Sequence, residues 1–373
     1  MDGEREACVE FPAFSPRGPL RNGQLQTMIG NLPIVQWLAR RRGAALLASA
    51  RPWVIDCGDG VRLQGLLSPA RGAGISTREL DKSTVPVCTR IAVLLHGWEG
   101  SADSCYVVSL GAELLARGFD VLRLNLRDHG ESHHLNREIF HSCRLTEVVG
   151  ATRSVAQRFP EANIFLAGFS LGGNFMLRVA ADAGAPESIA GVAAISPVLD
   201  PAATLEALEG GWALYRRYFV RRWSRSLRHK RRTWPDLPDF EPLLGTKDLR
   251  AMTAGLVREF TDYASLDAYL DGYAIIGQRL ATLRFPAIVL LAEDDPMIPA
   301  GDLARLAPSP HLTVVRTRHG GHCGFADSLS GPSFADRFVA VHFERFKQAA
   351  MPIDFAAKSC MVTAASFVDV DYP

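Results

Sequence analysis

The sequence predicts an α/β fold, a mostly parallel central sheet with helices on both faces and one helical insertion. Two observations carry this. From Ile91 onward, short apolar runs alternate with longer stretches whose apolar residues recur at helical spacing. Such β–α alternation builds parallel sheets covered by helices, because each crossover must return the chain in the same direction. The alternation stops between residues 200 and 282, where amphipathic stretches occur without a clear strand, and resumes at Ala287.

Each element follows in order. Residues 1–52 read as an N-terminal extension. Trp53–Asp56 and Val61–Leu67 read as a hairpin that opens the sheet, with Gly58-Asp59-Gly60 as its turn. Ser68 to Pro86, rich in Gly, Ser, Thr and charge, reads as an exposed connection. Strand Ile91–Leu95, helix Ser104–Arg117, strand Asp120–Leu124 and helix Leu145–Phe159 come next. They are followed by strand Asn163–Ala167, helix Leu171–Ala183 and strand Gly191–Ile195. After the insertion, strands begin at Ala287 and at His311, and Gly331–Lys347 reads as the last helix. The core therefore comprises residues 53–199 and 283–347, the insertion 200–282 and a C-terminal tail 348–373.

Composition bounds the function classes. The chain has 373 residues, of which 47% are hydrophobic, enough to bury a large core in one or two domains. A formal net charge of +1 argues against general nucleic-acid binding. The 7 cysteines are odd in number, scattered and without a C-x-x-C, which reads as reduced thiols in the cytoplasm. Met1-Asp-Gly-Glu-Arg-Glu is acidic where a signal peptide would be basic. No uncharged apolar run reaches the ~18 residues that a membrane span needs.

Gly168-Phe-Ser170-Leu-Gly172 fits G-x-S-x-G between a strand and a helix. A serine on so sharp a turn has strained dihedrals, and hydrogen alone at the flanking positions leaves room for the chain to reverse. The turn would hold Oγ above the sheet edge, at a helix N-terminus that favours developing negative charge. Three further segments give this serine partners. Ile91–Leu95 ends in His96-Gly97-Trp98, where the loop after the third strand supplies one oxyanion-hole amide and the residue after the nucleophile the other. The donors would be the backbone N–H groups of Trp98 and Leu171. Asp294-Asp295-Pro296 follows the strand at Ala287, and His319-Gly-Gly-His322 follows the strand at His311. The order Ser, Asp, His differs from the chymotrypsin and subtilisin orders and matches that of α/β-hydrolases.

The chain resembles the α/β-hydrolases and, more narrowly, the YheT-like family of bacterial esterases, related to mammalian hydrolases that act on phospholipids. The resemblance rests on Asn22-Gly-Gln-Leu-Gln-Thr27, His96-Gly-Trp-Glu-Gly-Ser101, Gly168-Phe-Ser-Leu-Gly-Gly-Asn174, Asp294-Asp-Pro296 and His319-Gly-Gly-His-Cys-Gly-Phe325, and spans roughly residues 14–347. One segment departs: Asn125-Leu-Arg-Asp-His-Gly-Glu-Ser132 stands where the family usually has Arg-Gly-Cys-Ser-Gly. The resemblance implies an α/β-hydrolase fold whose insertion is a helical cap. It also favours Asp295, just before Pro-x-x-Pro, as the acid, with Asp294 the adjacent alternative. Gly-Gly-His-x-Gly-Phe favours His322 as the base over His319.

The expected chemistry is carboxylic-ester hydrolysis through an acyl-enzyme on Ser170, His322 and Asp295, on short to medium acyl chains or lipid esters. Thioester hydrolysis or acyl transfer on the same residues is the alternative, and a non-catalytic binding protein a third class. No metal or cofactor is expected, because a serine nucleophile needs neither. His129, His133, His134 and His141 lie in a segment with Gly130 and Asn136, a loop without a zinc-site pattern. His96, His129 and His141 are instead expected to line the substrate pocket. Residues 215–232 hold nine Lys or Arg among aromatics. They read as the solvated face of a cap helix, with peripheral contact to an anionic membrane as the sharper alternative.

Overall fold

The structure, a computed structural model, describes residues 14–70, 89–349 and 367–369. The expected connection after Ser68 falls largely outside the described residues, as do the first 13 residues and most of the C-terminal tail.

Nine strands form one sheet in the order β1-β2-β4-β3-β5-β6-β7-β8-β9. β1 (Arg51–Asp56) and β2 (Arg62–Ser68) form the hairpin, and β2 pairs antiparallel with β4 (Asp120–Leu124). Every other pairing is parallel, through β3 (Arg90–Leu95), β5 (Asn163–Phe169), β6 (Ile189–Ile195), β7 (Ala287–Ala292) and β8 (Leu312–Thr317). The tail is not wholly without structure: β9 (Phe367–Asp369) adds in parallel to the otherwise open edge of β8. An edge strand offers unpaired N–H and C=O groups, and a short parallel segment satisfies some of them.

The central strands read as unbroken apolar runs because both faces are buried. Ile91, Val93 and Leu95 enter one core while Ala92 and Leu94 enter the other, and Leu166 and Ala167 divide the same way. α1 (Gly23–Ile29), α2 (Pro33–Arg42) and α3 (Ala44–Ser49) make up the N-terminal segment. α4 (Cys105–Ala116) covers one face, and α5 (Leu145–Arg158) and α6 (Leu171–Ala181) the other.

Between β6 and β7 the chain forms α7 (Pro201–Gly210), α8 (Ala213–Thr233), α9 (Glu241–Leu244), α10 (Leu249–Phe260) and α11 (Leu266–Asp271), with no strand in the insertion. Their apolar faces extend the α5/α6 core through Leu205, Trp223, Leu227, Met252 and Leu256. The last helix, α12 (Phe334–Ala349), starts three residues later than the apolar spacing implies. Ser333 accepts from the Asp336 amide while Asp336 accepts from the Ser333 amide, a reciprocal cap that sets the start. None of the described helices is long and apolar enough to cross a membrane.

The chain steps from β3 to β4 on one side, then to β5 on the other. A crevice opens where such an order reverses, beyond the carboxyl ends of the strands. The segments after β3, β5, β7 and β8 meet there.

Candidate active site

Ser170 sits between β5 and α6 with φ 54° and ψ −121°. Positive φ is uncommon for a residue with a Cβ and persists only when the surroundings over-determine it. Here they do. The Ser170 N–H donates to the Ile195 carbonyl at 2.9 Å, and its carbonyl accepts from the Asn174 amide at 3.1 Å. A Cβ on Gly168 would overlap the Gly172 backbone, and one on Gly172 would overlap the His96 carbonyl. Only glycine closes this turn.

His322 lies between the serine and an acid. Its Nε2 is 2.9 Å from Ser170 Oγ and its Nδ1 is 2.9 Å from Asp295 Oδ2. With Asp295 accepting from Nδ1–H, Nε2 is left as the acceptor for the hydroxyl. The Asp295 side chain is fully buried. Its Oδ1 accepts from the Met297 and Ile298 amides at 2.8 and 3.0 Å, so the turn after β7 fixes its direction. Burial disfavours the imidazolium, but the Asp295 carboxylate outweighs it and holds His322 well above its ordinary pKa.

The doubled candidates separate cleanly. Asp294 points away from His322: its Oδ1 accepts from the Gly321 amide at 2.8 Å, and its Oδ2 lies 3.5 Å from His319 Nδ1. Asp294 therefore staples the β7 turn to the histidine loop, and His319 faces Asp294 instead of the serine.

The N-terminal motif folds against that same loop, a role its position in the chain does not suggest. Gln26, fully buried, clamps Ala326: its Oε1 accepts from the Ala326 amide at 2.8 Å and its Nε2 donates to the Ala326 carbonyl at 2.9 Å. Thr27 Oγ1 accepts from the His322 amide at 2.9 Å and donates to the Gly23 carbonyl at 2.7 Å. The fit needs glycine, because a Cβ on Gly324 would overlap the Gln26 backbone.

The turn after β3 packs directly on the serine, since a Cβ at Gly97 would lie 3.1 Å from Ser170 Cβ. As the first residue of α6, Leu171 has no intrahelical acceptor for its amide. Among the described residues neither that amide nor the Trp98 amide has a hydrogen-bond partner. The Trp98 ring is held from above by α8, stacked on Phe219 at 5.1 Å and edge-on to Trp223 at 5.3 Å.

Of the three histidines expected in the pocket, only His141 lines it. His96 and His129 are corrected to loop supports. His96 accepts from the Leu126 amide through Nε2 and donates to the Gly97 carbonyl from Nδ1. His129 accepts from the Glu99 amide and donates to the Arg127 carbonyl. Burial pushes His96 down to about 4 and His129 well below its ordinary value, so both are neutral rings bridging two loops. Both follow strand ends near the serine, but nearby backbone groups consume both nitrogens of each. Asp128 is a fixture too, accepting from the Phe140 amide at 2.9 Å and from buried Lys230 of α8 at 2.7 Å. One of the nine basic residues of α8 is thus a buried anchor and not part of a solvated face.

Two cavities meet at the serine, and Trp98, Ser170, Phe219, Met297 and His322 line both. The larger, about 380 Å³, runs towards α2 and holds Glu99, Arg40 and Arg222. Glu99 is 8% exposed, and burial, partly offset by Arg222, pushes its carboxyl up to about 7. The smaller, about 100 Å³, is walled by cap residues such as Leu205, Leu208 and Leu256, with Leu171 and Ile298 from the core. Burial, helped by Arg144 and Arg127, lowers His141 at its edge to about 3.

A family model described as the alpha/beta hydrolase fold matches residues 93–329. The chain is 24% identical to Phospholipase ABHD3 of Mus musculus over 305 residues, 79% of this chain and 72% of that protein. It is 26% identical to the YheT protein of Escherichia coli over 62% of this chain and 69% of that one. Among solved structures, the esterase Pf2001 of Pyrococcus furiosus superposes with a TM-score of 0.51 at 15% identity, covering 80% of this chain and 92% of that one, a likeness of fold.

Proposed function

Because the chain belongs to the alpha/beta hydrolase fold family, we propose that it is a serine hydrolase that cleaves carboxylic esters through an acyl-enzyme. The observation that carries this reading is the unbroken chain Asp295 Oδ2–His322–Ser170 Oγ, with both hydrogen bonds at 2.9 Å.

The steps follow from the geometry. His322 Nε2 takes the hydroxyl proton as Ser170 Oγ attacks the ester carbonyl carbon. The resulting imidazolium is stabilised by the adjacent Asp295 carboxylate, which also holds the tautomer. The oxyanion forms at the N-terminus of α6, where the Leu171 and Trp98 amides would donate to it. His322 returns its proton to the leaving alcohol, the C–O bond breaks, and the acyl group stays on Ser170. Water, deprotonated by the same ring, then attacks the acyl-enzyme and releases the acid, restoring the serine hydroxyl.

The two cavities suggest how the ester lies. The smaller, more apolar one suits a short to medium acyl chain, and the larger one, with Glu99, Arg40 and Arg222 at its wall, the alcohol. The relatives named as a phospholipase and an esterase support cleavage of an ester. The function is tested by hydrolysis of a p-nitrophenyl ester series. Wild type should turn over acyl chains from acetyl upward and Ser170→Ala none of them. Equal hydrolysis by the two proteins would overturn the reading.

A further inference from the structure

We propose that α2 and α8 together form a docking surface for an anionic lipid bilayer, placed at the mouth of the larger cavity. Eight large hydrophobic side chains are exposed among the described residues. Singly scattered, such residues need no explanation; here Tyr218 and Leu329 line the larger cavity and five more lie on the segments that border it. Leu32, Ile34 and Trp37 belong to α2 and its entry, Trp212, Leu214 and Tyr218 to the start of α8, and Leu329 to the loop before α12. Only Val54 lies elsewhere. The same three segments border the larger cavity, through Val35 and Arg40, through Tyr218 and Arg222, and through Leu329 itself. Tyr215 of α8 hydrogen-bonds Gln24 of α1, the helix that precedes α2.

The charge beside these residues is one-signed. α8 has nine Lys or Arg and no acid between Ala213 and Thr233. Three are engaged: Arg216 with Glu209, Arg228 with Glu241, and Lys230 with Asp128. Arg217, Arg221 and Arg225 are exposed and have no acidic partner among the described residues. Leu214, Tyr218, Arg221 and Arg225 recur every three or four residues, which places them on one stripe of the helix. On α2, Arg41 lies over the Trp37 ring at 5.5 Å. An aromatic ring with a cation beside it suits the headgroup level of a membrane. With a net charge of +1 for the whole chain, this basic face is local.

Other occupants fit less well. A second copy docking symmetrically would bring like-charged α8 stripes together. RNA would use the arginines but leave Leu32, Ile34, Leu214 and Leu329 without a partner of their own kind. A lipid surface uses both, with each cation near the headgroups raising partitioning roughly fivefold.

The test is co-sedimentation of full-length Ser170→Ala protein, which cannot consume lipid by the proposed mechanism, with vesicles of phosphatidylglycerol and phosphatidylcholine or of phosphatidylcholine alone. Binding to the mixed vesicles should exceed binding to the neutral ones at least tenfold. Arg217→Gln, Arg221→Gln and Arg225→Gln combined should lower binding to the mixed vesicles at least tenfold. Ile34→Ser with Trp37→Ala should lower it at unchanged charge. In the Ser170 background both sets should fold as wild type and hydrolyse soluble esters at its rate. No binding to mixed vesicles, no loss in folded variants, tighter binding of a single-stranded RNA, or a dimer that the arginine substitutions break would each overturn the proposal. Because binding is read without turnover, its failure leaves the hydrolase reading untouched, and the reverse also holds.

Discussion

Asp295 Oδ2 lies 2.9 Å from His322 Nδ1, while Asp294, the preceding residue, turns the opposite way to accept from the Gly321 amide. Two carboxylates adjacent in sequence thus have separate partners, one a histidine nitrogen and one a backbone amide. Asp295→Asn should lower kcat by about 10⁴ or more, the cost of losing the group that holds the tautomer. Asp294→Asn keeps an acceptor for Gly321 and should retain most activity. Steady-state kinetics on the pair would show an error in the assignment if Asp294→Asn were the inactive one.

The rate should depend on pH with a definite sign. His322 must be neutral to accept the serine proton, and although burial lowers its pKa, the Asp295 carboxylate outweighs that and holds it well above the ordinary 6.5. Activity should therefore fall as pH drops through a midpoint above 6.5. In Asp295→Asn the residual activity should keep its acidic limb but move it to lower pH. A limb that stays in place would mean that another group is being titrated.

The N-terminal latch should matter to chemistry and stability differently. Gln26→Leu leaves the buried Ala326 amide and carbonyl without partners, at about 1–3 kcal/mol each. Thr27→Val removes the acceptor of the His322 amide while keeping the side chain's shape. It should lower kcat roughly tenfold with little change in KM, through a misplaced imidazole. Denaturant melts and kinetics on both variants separate the two effects. A Thr27→Val protein with normal kcat would remove Thr27 from the positioning of His322.

The apolar cavity should impose a chain-length profile. Each buried methylene contributes about 0.8 kcal/mol, close to fourfold in kcat/KM, until the space is full. With about 100 Å³ available, the gain should level off after a few carbons. Leu208→Ala, which cuts back the cap wall and enlarges the cavity, should move the optimum to longer chains. A flat series from acetyl to dodecanoyl would place the acyl chain elsewhere.

Local spacing made the elbow legible, because a serine turn that tight needs glycine at positions 168 and 172 and the sequence supplies both. The alternation of strands and helices was legible for the same reason, as was the strandless insertion holding α7 to α11. Asp294 and Asp295 could not be separated by spacing alone, since adjacent residues share every local signal. His96 and His129 were misplaced because residue type does not reveal which backbone groups a ring will meet. Gln26 contacts Ala326 across 300 positions, and Lys230 is buried by a loop near residue 130; no period or motif encodes either contact. β9 lies in a tail without an apolar run long enough to announce a strand.

Ser170 as the attacking nucleophile is tested by intact-protein mass spectrometry after treatment with an organophosphonate ester, which phosphonylates the same oxygen that an ester would acylate. One phosphonyl adduct per chain is expected, mapped by peptide digestion to Ser170, absent from Ser170→Ala and strongly slowed in His322→Ala. An adduct that persists in Ser170→Ala, or none in folded wild type, would contradict it.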